Sequence, residues 1–157
     1  MRLKIDYRLT GTGWAECELS DEEASCVVTA SYLSDALRNL VLAATAVISG
    51  FNRVAFGFDE EPGEYRWVIT TSRINEIDLQ ILEFNELWSG KLDDEGRLLF
   101  HTRCLPDTFA DAVHVAAQKI LNELSAQGYE DKWSEHPFPM AQLQELGRLL
   151  EEQKRDA

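Results

Sequence analysis

The chain has 157 residues, 28 of them acidic against 15 basic for a formal net charge of −13, and 45% of it is apolar. Phosphate and anionic-lipid recognition both need clustered Lys and Arg, so this balance argues against nucleic acid and against a membrane surface as partners. The length and apolar content suffice for one core, and a single α+β domain over 1–157 is expected.

The start, MRLKIDYRLTG, alternates Leu3, Ile5, Tyr7 and Leu9 with charged residues, which predicts a strand with one buried face and not a signal peptide. Gly11 and Gly13 mark a turn. Ala15, Cys17 and Leu19 then oppose Trp14, Glu16 and Glu18, so a hairpin is expected, with a short third strand over 25–30. Ser34 as N-cap and Asp35 beside it predict a helix to about Ser49, stopped by Gly50. That segment is almost wholly apolar or small, as a helix central to a core must be.

Val54, Phe56 and Phe58 restore a period of two, and Glu61-Pro62-Gly63-Glu64 reads as a type II turn between strands 53–58 and 64–71. Further strands are expected up to Asn85, around Ile77, Leu79 and Ile81, and over 97–103 after the Asp93–Gly96 turn. A helix over 107–127 follows from Phe109, Val113, Ala116, Ile120 and Leu124, with Gly128 as its stop. Residues 129–139 read as a surface connection. A last helix over 140–154 aligns Leu143, Leu146, Leu149 and Leu150 on one stripe. The expected architecture is a mainly antiparallel sheet of about six strands, with two helices packed on one face and a C-terminal helix.

No catalytic constellation, metal site or cofactor motif emerges. His101 and Cys104 are spaced like metal ligands, but three residues apart on a strand they face opposite ways. Gly11-Thr12-Gly13 lacks the later glycine of a dinucleotide loop, and Asp93-Asp94-Glu95-Gly96 misses calcium-loop spacing. Three cysteines without a CxxC pair fit a reducing compartment, hence a cytoplasmic protein.

Surface recognition remains. The acids cluster, with no Lys or Arg between Leu9 and Leu37, and with Asp59, Glu60, Glu61 and Glu64 around one turn. Trp88 and Trp133 fall outside the predicted elements beside acidic residues, and aromatic anchors within charged rims concentrate interface affinity. Asp59, Glu60, Glu61, Glu64, Trp88 and Trp133 are therefore the candidate partner-binding residues. If acids 16–23 and 59–64 formed one surface, their turns would have to share a contiguous face. The plain alternative is that acidic loops keep the protein soluble.

The strand pair, the SYLSDAL helix start at Ser31–Leu37 and the EPGEYRW hairpin at Glu61–Trp67 resemble small uncharacterised bacterial α+β families, over roughly residues 25–125. Some of those families are similar to immunity proteins that neutralise polymorphic toxins. The resemblance implies an acidic inhibitor of a basic toxin and supplies no functional residue. Two other readings stand beside it. One is a small-molecule binder or enzyme with a pocket between helix 34–49 and the sheet, using His101, Asp78 or Glu83. The other is a self-assembling module, such as a homodimer, joined through an edge strand or the leucine stripe.

Overall fold

A computed structural model describes residues 2–134 and 136–156. Among the described residues seven strands form two antiparallel sheets: β1 (Lys4–Gly11), β2 (Trp14–Ser20) and β3 (Ser25–Ser31) in the first, and β4 (Arg53–Asp59), β5 (Glu64–Arg73), β6 (Glu76–Phe84) and β7 (Arg97–Cys104) in the second, each in sequential order. The α+β class is as expected, but a single sheet of about six strands is not what forms. Alternation tells which side chains face inward and is silent on which strand pairs with which, so the break that α1 (Ala36–Ile48) introduces after β3 left no trace in the period.

Ile5 and Tyr7 of β1 sit opposite Leu19 and Cys17 of β2, which is paired in turn with β3 through Cys17 and Val28. All of these except the half-buried Cys26, opposite Leu19, are buried. The inner face of the second sheet carries Phe58, Trp67, Ile69, Leu79, Ile81 and Phe100. Phe56 and Phe58 lie 5.3 and 5.1 Å from the Trp67 ring, and Tyr7 meets Phe58 edge-on at 6.3 Å, joining the two sheets through one aromatic cluster.

Helix α1 buries Ala36, Leu37, Leu40, Val41, Ala44 and Val47, the spacing of a single inward stripe. Its N-cap is Asp35, one residue later than Ser34, and Gly50 with φ +92° ends it as expected. Ile48 and Phe56 are only half-buried. Helix α2 (Pro106–Trp133) overruns the expected stop. Ser125, at φ 63° and ψ 168°, breaks it, and a second helical segment resumes through Gly128. Residues 129–133 are therefore helix instead of surface connection, and Tyr129 and Trp133 are fully buried. Helix α3 (Met140–Asp156) seals Leu143, Leu146 and Leu150 inside, and its Gln153 Nε2 donates to the Ile48 carbonyl at 3.1 Å.

The 61–64 turn is not type II, because Glu61 has φ 70° and the Glu61–Pro62 peptide is cis. Gly63 is required there: a Cβ would lie 2.2 Å from the Phe84 carbonyl oxygen. The chain after β6 folds back across the outer face of the second sheet, where Gly96 lies against Phe84 and Leu82 and the Arg66 guanidinium rests 4.1 Å above the Phe84 ring.

Candidate partner-binding surface

Strand β4 ends by turning Asp59 onto the outer side of its sheet, against the end of β3. The Ser31 hydroxyl donates to the Asp59 carbonyl at 2.9 Å, and the Asp59 N–H donates to Ser34 Oγ at 3.1 Å. Only 7% of Asp59 is exposed. Burial pushes its carboxyl above the ordinary value, and a hydrogen bond from the Trp88 indole, at 3.2 Å, partly offsets that. Trp88 itself is 72% exposed, at φ 50°, in the segment following β6. The Leu87 N–H donates to the Pro62 carbonyl at 3.0 Å and pins this segment to the 61–64 turn. Trp88 and Asp59 are thus brought together by three separate elements.

The other candidates divide. Glu61 is exposed and Glu60 half-buried on the same turn, and Glu86 is exposed just before Leu87; none of the three forms an ion pair with a described cation. Glu64 instead lies 3.5 Å from Arg66, which also binds Asp93 at 2.9 Å, so its charge is internally compensated. Trp133 leaves the set altogether. It is buried at the end of α2, stacked on Tyr129 at 6.3 Å, because the helix extends past Gly128 and turns the 129–133 aromatics inward.

The acidic stretch over 16–23 divides along β3: Glu16 is the ladder partner of Thr29, two residues from Ser31, whereas the Asp21–Glu23 turn is at the other end of the strand. Glu16 lies 2.9 Å from Arg8 on the outer face of the first sheet. Asp59 touches Ser31, a strand length of about 20 Å from the Asp21–Glu23 turn. Aromatic side chains also lie near Asp59. Trp14 is the ladder partner of Ser31, Tyr32 follows it, and they are 41% and 42% exposed. Neither was among the candidates, though the outward position of Trp14 was legible in the alternation of its hairpin.

The alternatives find less support. A groove of about 400 Å³ does run between α1 and β4, but it is lined by Leu42, Ala46, Phe51, Val54 and Phe56, with Asn39 and Arg53 as its polar side chains. His101 and Asp78 bind each other on the outer face of the second sheet, the side away from α1, and Glu83 binds Arg97 at 2.6 Å. Burial pushes the Cys26 and Cys104 thiols up to about 11 and Cys17 higher still, so none is a thiolate near neutrality. Among the described residues no group of His, Cys, Asp and Glu could hold a metal ion, and no helix is long and apolar enough to cross a membrane. Leucines 143, 146 and 150 of α3 are spent on the chain's own core and are not free to pair with a second copy.

No protein-family model, curated protein or solved structure matches this chain.

Proposed function

We propose that this chain is an acidic binding protein that docks a basic protein through its Trp88 end, in the manner of an immunity protein that inhibits a basic toxin. The observation that carries the reading is the combination of exposure and fixation at Trp88: a ring 72% open to solvent, yet tethered through its indole N–H to a carboxylate that is itself buried. An exposed aromatic that is already ordered loses little entropy on binding, which is what makes such side chains anchors. Glu60, Glu61 and Glu86 around it supply negative charge not cancelled by a described cation, and that charge accelerates encounter with a cationic surface.

The test uses as partner a basic protein that the parent chain captures in a pull-down. Trp88→Ala should weaken the complex by at least about tenfold, mainly through faster dissociation. Neutralising Glu60, Glu61 and Glu86 together should slow association, and more so at low salt. Equal affinity of the parent and both variants, with folding intact, would exclude this surface.

A further inference from the structure

Beneath the Trp88 end, three elements each carry a buried polar group without a partner among the described residues. Tyr7 on β1 and Tyr129 on α2 are 1% and 0% exposed, and both hydroxyls are buried with no hydrogen-bond partner among the described residues. Oδ1 of Asp35, at the start of α1, is buried in the same condition, while its Oδ2 lies 3.7 Å from His136 Nδ1.

A short chain of contacts links the three. The Tyr7 ring meets Phe58 edge-on at 6.3 Å, the next residue, Asp59, is bonded to Ser34, and Asp35 follows Ser34. From the other side, His136 faces Asp35, and Phe138, two residues on, packs edge-on against the Tyr129 ring at 5.4 Å. The groups also act on one another electrostatically, since the Asp35 charge contributes to raising both phenols, after burial as the largest cause.

A buried hydroxyl or carboxylate oxygen without a partner is costly and uncommon in a folded chain. Two phenols can each donate and accept, and a carboxylate oxygen accepts, so together they offer the two to four polar contacts that an internal water requires. We propose that Asp35 Oδ1 and the hydroxyls of Tyr7 and Tyr129 form a binding site for an ordered internal water, which cross-links β1, the start of α1 and the second segment of α2 under the Trp88 surface. The inference does not depend on any partner.

The sign of a hydroxyl deletion tests it. A hydroxyl that is truly orphaned is a liability, and Tyr→Phe then leaves stability unchanged or raises it. One held by a water loses a bond, so Tyr7→Phe and Tyr129→Phe should each lower the thermal midpoint by about 2–4 °C, and the double variant should lose less than the sum because the water is shared. A crystal structure of the unaltered chain should place a water at about 2.6–3.2 Å from Asp35 Oδ1 and from at least one phenol. Unchanged or raised midpoints in both variants, a direct phenol–carboxylate bond, or density that refines as an ion would each overturn the proposal.

Discussion

The indole N–H of Trp88 donates to Oδ2 of Asp59 at 3.2 Å, so the most exposed tryptophan of the chain is bonded to one of its few buried carboxylates. That bond has an optical consequence. Trp67 and Trp133 are fully buried and Trp14 is 41% exposed, which leaves Trp88 as the main solvent-accessible emitter. Trp88→Phe should remove most of the acrylamide-quenchable, red-shifted fluorescence while leaving the far-ultraviolet circular dichroism unchanged. Unaltered quenching would show that Trp88 is covered in solution.

Trp133 and Ile120 are interior residues of one helix and should behave so. Ile120→Ala should cost about 2–5 kcal/mol, and Trp133→Ala about 3–5 kcal/mol, in urea denaturation. A Trp133→Ala loss below about 1 kcal/mol would contradict its burial and restore it to the surface.

Gly63 tests the turn beneath Trp88. A methyl group there meets the Phe84 carbonyl oxygen at 2.2 Å, a backbone atom that cannot swing aside. Gly63→Ala should destabilise the chain by about 1–3 kcal/mol and, because Leu87 is bonded to Pro62, should also shift Trp88 emission. Gly11→Ala meets nothing within 4 Å and is the control, with little steric cost.

Acid stability should carry two opposite contributions. Hydrogen bonds from Arg66, and then Arg53, hold the Asp93 carboxyl below its ordinary value, so its stabilisation is present above the unfolded value and lost as pH falls through the folded one. Asp59 is raised by burial, so between its folded and unfolded values the native state binds more protons and acidification adds stability. In denaturant titrations between about pH 6 and pH 3, Asp93→Asn should flatten the loss at the acid end, and Asp59→Asn should remove the gain above it. Identical pH profiles for the parent chain and both variants would refute these assignments.

The thiols should be inert. Cys17 and Cys104 are buried and Cys26 is half-buried, all with burial-raised pKa values. A chromogenic disulfide reagent at neutral pH should react slowly with the native chain and promptly with all three cysteines in denaturant. A fast native thiol would reopen the question of cysteine chemistry.

By itself the sequence determined what local physics governs. Alternation of Ile5, Tyr7, Ala15, Cys17 and Leu19 set the buried face of the first hairpin, and the small apolar residues from Ala36 to Val47 made a core helix, because side-chain direction follows from backbone period alone. Trp88 and Trp133 both read as lying outside the predicted elements, and nothing local told the exposed one from the buried one. Only the tertiary structure decided that the strands divide into two sheets, since register and partner are fixed by non-local packing. It also decided the fates of the two candidate tryptophans. Gly128 reads locally as a stop, yet burying Tyr129 and Trp133 outweighs its helix cost of about 1 kcal/mol. Asp59 sank beneath Trp88 because that bond comes from a chain segment more than twenty residues away, whereas the ion pair of Glu64 with Arg66, two residues on along the same strand, is local.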